Sequence, residues 1–266
     1  MNELPDESIR RTADADVVQH LREAHARLRS RVSWSVVPEV ALHLTADDAI
    51  HPCSRPVAFW RAATRAFVRR TGPTLTAVGP YVFLSTSVQH DRVLQPIIDA
   101  LVPSVGASRR VHLPRLGPWA FIVAVRAAVR FERELDRDHT LARLTGDGAF
   151  RWAVHQTAVL QARAERLMRG RHAPDVLVVA TQHGATTRAV LAAANRSIRV
   201  RTVYVPHAPL ADNVFYDDLP AHWALLRGPA EVRAYAAAGV DAGRLSAVGD
   251  PSIPAPAGVA PRDGRR

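Results

Sequence analysis

The sequence predicts an α/β fold with a single parallel sheet flanked by helices. Short apolar segments alternate with helical segments through the second half of the chain, which is the order in which parallel strands and their crossover helices follow one another. Residues 175–180, Asp-Val-Leu-Val-Val-Ala, form a compact apolar run, as in a strand buried between two layers. A helix predicted over 230–238 has Pro229 before it and Gly239 after it, residue types that favour a helix start and a helix end.

The predicted elements divide the chain into three regions. Residues 1–72 are expected to be helical and to pack on the domain that follows, because apolar residues recur there at helical spacing. Residues 73–253 alternate strands and helices and are expected to form a Rossmann-like α/β domain. Residues 254–266 are rich in Pro, Gly and Arg and are expected to be disordered. Within the central region we expect strands at about 75–84, 110–114, 175–180, 201–205, 222–226 and 244–248, and helices at about 91–101, 119–144, 150–169, 185–195 and 230–238.

The charge of the chain is strongly basic but carries no nucleic-acid signature. The formal net charge is +10, and all 35 basic residues are arginines. These arginines are spread over the predicted helices without a recognition-helix pattern or interleaved aromatic residues, so we expect no nucleic-acid partner. An anionic substrate, such as a nucleotide-linked sugar or a lipid-linked phosphate, is compatible with the charge.

Targeting signals and cysteine content favour a cytoplasmic protein. The single cysteine, Cys53, excludes an intramolecular disulfide. The polar, acidic start of the chain lacks the apolar run of a signal peptide. The apolar run over 118–131 is interrupted by arginine, well short of the roughly 20 residues that cross a bilayer. If a basic face is exposed beside the helix containing 119–131, we expect peripheral membrane contact.

Two predicted strands end in loops that carry histidine. The strand over 175–180 runs into Thr-Gln-His-Gly, and the strand over 201–205 runs into Pro-His-Ala-Pro. Because the ligand crevice of an open α/β sheet lies beyond the carboxyl ends of its strands, His183 and His207 are expected to share one cleft. The chain has no Gly-x-Ser-x-Gly elbow, phosphate-binding loop, His-Glu-x-x-His helix or dinucleotide glycine fingerprint. We therefore expect no metal and no cofactor.

The order of motifs after residue 175 resembles the end of the N-terminal domain in GT-B-fold enzymes of surface-carbohydrate synthesis. The relatives are capsule and teichoic-acid type glycosyl- and glycerophosphotransferases, together with sugar-nucleotide 2-epimerases of similar fold. The similarity covers under a third of the chain, and Ala208 stands where the family usually has glycine after the histidine. The matching segments are Val-Pro-His-Ala at 205–208, Asn-Val-Phe-Tyr-Asp-Asp at 213–218, Leu-Arg-Gly-Pro at 226–229, Ala-Gly-Val at 238–240 and Val-Gly-Asp-Pro at 248–251.

The resemblance implies the acceptor-side half of a transferase that moves a sugar or glycerophosphate from a nucleotide-activated donor. In the family a second Rossmann domain holds most nucleotide contacts, so activity is expected to need a second-domain polypeptide. The resemblance implies a catalytic role for His207, and histidine is well tuned to act as a base. His183, before a helix N-terminus, is the other catalytic candidate. The predicted substrate-binding residues are Thr181, Gln182, Gly184, Asp212, Tyr216 and Asp217.

Plainer interpretations remain open at each of these positions. His207 could be a loop histidine that only hydrogen-bonds the backbone, and Thr181 with its neighbours could simply cap a helix. Asp217 and Asp218 are adjacent, so in extended chain they point in opposite directions and at most one faces the crevice. The alternative function is a non-catalytic module that binds a sugar, a nucleotide or a protein partner.

Overall fold

The computed structural model describes residues 60, 63, 67, 73–137, 148–171, 173–182, 185–209 and 219–253. The predicted helical region 1–72, apart from three positions, and the predicted tail 254–266 therefore lie outside the described residues. The last part of the helix predicted over 119–144 lies outside them as well.

Seven strands and five α-helices are present in the described ranges. The strands are β1 (Thr74–Val78), β2 (Tyr81–Leu84), β3 (Arg109–His112), β4 (Val176–Val179), β5 (Arg201–Tyr204), β6 (Trp223–Leu226) and β7 (Leu245–Ala247). The helices are α1 (Val88–Val105), α2 (Pro118–Asp136), α3 (Gly148–Met168), α4 (Ala185–Asn195) and α5 (Pro229–Ala237), with a short 3-10 helix at Ala242–Arg244. Each strand or helix predicted between 73 and 253 has a counterpart among the described residues, and the predicted α/β fold is confirmed.

The sheet is mixed rather than wholly parallel. Its strand order is β3-β1-β2-β4-β5-β6-β7, and the five strands from β2 to β7 along this order run parallel. Strand β1 is antiparallel to both of its neighbours. The sequence predicted one extended segment over 75–84, whereas the structure has a β1–β2 hairpin there. Gly79, with φ +54°, reverses the chain between Val78 and Tyr81, a left-handed conformation that glycine adopts at no steric cost.

Helices cover both faces of the sheet because the strand side chains alternate. On β4, Leu177 and Val179 belong to one core cluster and Val178 to the other. The first cluster packs against α3, α4 and α5, and the second packs against α1. Among the described residues, no helix is both long enough and apolar enough to cross a bilayer.

Buried polar contacts fix α2 and α3 relative to each other and to the end of β3. Glu132 on α2 and His155 on α3 are both buried, with the His155 Nε2 atom 3.1 Å from the Glu132 Oε1 atom. Arg163 on α3 is completely buried and donates from Nη2 to the Leu113 carbonyl at 2.7 Å. It also donates from Nε to the Pro114 carbonyl at 3.0 Å. The two bonds to carbonyl oxygens satisfy the guanidinium of Arg163, a charged group that would be costly to bury alone.

Replacing Gly79 by alanine is expected to lower the free energy of unfolding by about 2 kcal/mol, from left-handed strain and crowding. An added Cβ would lie 2.9 Å from the Val105 Cβ atom at the end of α1. Gly228→Ala is the control, because that residue is extended at φ −168° and its added Cβ meets nothing within 4 Å. Urea unfolding measures both variants. Equal loss in the two would show that the hairpin does not depend on Gly79.

Candidate functional site

The carboxyl ends of the five parallel strands meet along one edge of the sheet, and polar residues follow each of them. In open α/β sheets this edge is where ligands bind. These polar residues include Thr86 and His90 after β2, Thr181 and Gln182 after β4, His207 after β5, Arg227 after β6 and Asp250 after β7.

The imidazole of His207 is oriented by the backbone of the neighbouring strand end. Its main-chain N–H donates to the Ala180 carbonyl oxygen at 3.1 Å, and its Nδ1 atom lies 2.7 Å from the same oxygen. A carbonyl oxygen only accepts, so Nδ1 carries the hydrogen of this bond. In the neutral ring Nε2 then has a free lone pair, as a general base requires. The predicted placement of His207, at the carboxyl end of a strand beside the end of β4, is confirmed.

A second histidine, His90, lies against His207, and sequence reasoning missed it. The two ring centroids are 4.5 Å apart and the planes are inclined at 66°. His90 is in the first turn of α1 and only 6% exposed. Its Nδ1 atom accepts from the Thr86 main-chain N–H at 3.2 Å, so the neutral ring carries its hydrogen on Nε2. The available signal was the polar run Ser-Thr-Ser at 85–87, which follows a strand and precedes a helix.

The surroundings of His90 keep its ring neutral at ordinary pH. Burial and, to a smaller extent, the nearby His207 lower the pKa of His90 from 6.5 to about 4, against an opposing effect of Asp91. A neutral His90 places no permanent positive charge against His207.

The two described residues that are predicted to bind substrate after β4, Thr181 and Gln182, are buried. Thr181 is 8% exposed, and the side chain of Gln182 is completely enclosed. The Gln182 Nε2 atom donates to the Tyr235 hydroxyl of α5 at 2.7 Å, while its Oε1 atom has no hydrogen-bond partner in the described parts of the chain. This amide therefore joins β4 to α5 in the present structure, and its contact with a substrate stays a prediction.

The remaining predicted site residues, His183, Gly184, Asp212, Tyr216 and Asp217, lie outside the described residues. The expected meeting of His183 and His207 in one cleft thus stays a prediction. The structure instead brings His207 together with His90.

Opposite charges meet where β6 and β7 end. The Arg227 Nη2 atom lies 3.2 Å from the Asp250 Oδ2 atom. Burial would raise the pKa of Asp250, but hydrogen bonds from the Ser252 hydroxyl and N–H, together with Arg227, lower it overall. The Arg227 Nε atom is buried and has no acceptor within the described ranges. A cation therefore lies at the end of the strand next to that of His207.

Comparisons with known proteins assign no function to this chain. The chain matches no family model, no curated protein and no solved structure. In the described part of the chain, no group of three or more His, Cys, Asp or Glu side chains is arranged to hold a metal ion. What the edge can offer is one imidazole with a free Nε2 acceptor, one neutral imidazole with an N–H donor, and a guanidinium.

Acidification is expected to destabilise the protein through His90. Its folded-state pKa of about 4 lies below the ordinary 6.5, so between these values the unfolded chain binds the proton more readily. The free energy of unfolding should therefore fall as pH drops from 6.5 towards 4. His90→Asn, which can still accept from the Thr86 N–H, should flatten this slope.

Some slope should remain in His90→Asn, because burial and then Arg201 and Arg244 also lower the pKa of His222. Urea unfolding across this pH range measures the effect, with His112→Asn on the exposed end of β3 as the control. An unchanged slope in His90→Asn would contradict the burial of a neutral ring.

Proposed function

We propose that the protein is the acceptor-side half of a glycosyl- or glycerophosphotransferase, with His207 as the base that activates the acceptor hydroxyl. The observation that carries this proposal is the bond between His207 Nδ1 and the Ala180 carbonyl, which leaves Nε2 as an acceptor at the ligand-binding edge of the sheet. The substrate class follows from the family resemblance of residues 205–251.

The proposed reaction uses few protein groups. His207 Nε2 takes the proton of an acceptor hydroxyl as the hydroxyl oxygen forms a bond to the sugar carbon or to the glycerophosphate phosphorus. The bond to the leaving nucleotide breaks at the same time, and that bond pair becomes negative charge on the departing phosphate. Cationic groups stabilise such charge. Arg227, at the same edge of the sheet, is the candidate for stabilising the departing phosphate. A second-domain polypeptide would supply the nucleotide contacts.

The neutral state of His90 supports a base at His207. A histidine that gains a proton becomes cationic, and a like charge in contact would oppose that gain. Because the pKa of His90 lies at about 4, its ring is uncharged near neutral pH and places no like charge beside His207.

One observation favours the alternative, a non-catalytic binding module. The group behind His207 Nδ1 is a backbone carbonyl, which orients the ring but stabilises the imidazolium less than the carboxylate found in catalytic triads. In such a module, His207 and Arg227 would hydrogen-bond a sugar or phosphate without proton transfer.

Replacing His207 by asparagine is expected to reduce turnover by about 10²- to 10⁴-fold, the usual contribution of a positioned base. The asparagine amide can still donate to the Ala180 carbonyl, so the strand end should keep its structure. Release of free nucleotide is measured with a panel of nucleoside-diphosphate sugars and a nucleotide-activated glycerophosphate. His112→Asn is the control, because three strands separate β3 from β5 in the sheet.

The outcomes separate the two functions. Nucleotide release that survives in His207→Asn would remove the base role. Calorimetric binding of a panel member without any turnover, weakened in His207→Asn, would favour the binding module over the transferase. Absence of both binding and turnover in the chain alone would contradict the binding module, and absence of turnover after a second-domain polypeptide is added would contradict the transferase.

A further inference from the structure

The outer face of α2 carries an exposed stripe whose first half is apolar and whose second half is basic. With 3.6 residues per turn, these residues fall on one side of the helix. Trp119 is 70% exposed, Val123 50% and Ile122 41%. We call this set the outer stripe; it comprises Trp119, Ile122, Val123, Arg126, Arg130, Arg133 and, directly after the helix, Arg137.

Packing of the opposite side of α2 fixes the direction in which the outer stripe points. Phe121, Ala124, Ala128 and Phe131 are all buried. The buried contact between Glu132 and His155 ties the same side to α3. Rotation of the helix would bury arginines and expose this packed side, so the stripe faces outward in the folded domain.

Among the described side chains, the four arginines of the outer stripe have no acidic partner. Each is exposed, and none makes an ion pair or a side-chain hydrogen bond within the described ranges. With Val125 and Val129 they line an open cavity of about 650 Å³. Four exposed guanidinium groups along and directly after one helix face therefore attract anions.

Positive charge also borders the apolar half of the outer stripe on the side that faces α3. A groove of about 630 Å³ runs between α2 and α3, and its apolar floor includes Leu116, Ala120, Val123 and Ala158. Its rim carries Glu165 and three arginines, Arg166, Arg169 and Arg196. Glu165 pairs with Arg169 at 3.3 Å and with Arg196 at 2.6 Å, so one carboxylate is set against three guanidinium groups.

We propose that the outer stripe docks the protein on an anionic phospholipid bilayer. Tryptophan is enriched at the interface between a bilayer and water. The apolar half of the stripe can insert at the level of the acyl chains while the basic half contacts the lipid phosphates. A cluster of arginines close to an anionic leaflet adds electrostatic attraction. Nucleic acid fits this surface less well, because contacts with a phosphate backbone would not bury the exposed apolar side chains of Ile122 and Val123.

We call the sheet edge that carries His90 and His207 the histidine edge, and the outer stripe lies apart from it. Helices α3 and α4 end beside the groove and lead into the beginnings of β4 and β5. The groove is therefore towards the amino edge of the sheet, whereas His207 follows the carboxyl end of β5. Membrane docking and the proposed chemistry do not depend on the same residues.

Flotation with vesicles tests the electrostatic part. The full chain should bind vesicles of mixed phosphatidylcholine and phosphatidylglycerol and should not bind phosphatidylcholine alone. Charge reversal at Arg126, Arg130 and Arg133 to glutamate should weaken binding by about a hundredfold or more. The matched control reverses Arg92, Arg199 and Arg233, which are exposed on other elements. Its net charge changes equally, and its binding should stay within a few-fold of the parent chain.

Substitution in the apolar half tests insertion. Trp119→Ser with Ile122→Ser should leave binding that is fully reversed by salt of about 0.5 M, whereas the parent chain should stay partly bound. Circular dichroism and the urea midpoint check that each variant is folded. Failure of the parent chain to bind the anionic vesicles, equal loss in both arginine variants, or tighter binding to duplex DNA than to vesicles would each overturn the proposal.

Discussion

The candidate site depends on the parallel pairing of β4 with β5 and on its continuation past the ends of both strands. The ladder pairs Val179 with Tyr204, and beyond it Val205 N–H donates to the Val179 carbonyl at 2.9 Å. One step further, the Ala180 carbonyl accepts from both the main chain and the ring of His207. A backbone ladder therefore determines the position, the orientation and the tautomer of one imidazole.

The β1–β2 hairpin brings the second imidazole to the same place. Because Gly79 reverses the chain, β2 runs parallel to β4 and ends at the same edge of the sheet. Helix α1 begins there, with the Ser87 side chain accepting from the His90 N–H at its start. Burial beneath this edge then keeps His90 neutral beside His207, so a turn distant from the site influences its electrostatics.

The arginines of the outer stripe and the histidines of the histidine edge differ in charge and in exposure. Exposed guanidinium groups stay charged at any accessible pH and attract anions at long range. The two histidines are oriented by hydrogen bonds to the main chain, and burial keeps the ring of His90 neutral. Because the two surfaces lie on separate elements, each can be altered without removing the other.

Local sequence determined the secondary structure and the position of His207 at the end of a strand. The helix predicted at 185–195 is found at Ala185–Asn195, and His207 follows a strand as expected, because periodicity and turn residues act over a few neighbours. The burial of Gln182 against Tyr235 and the contact between His90 and His207 were decided by tertiary structure alone. Each joins segments through strand pairing or packing at long range, which no local pattern encodes.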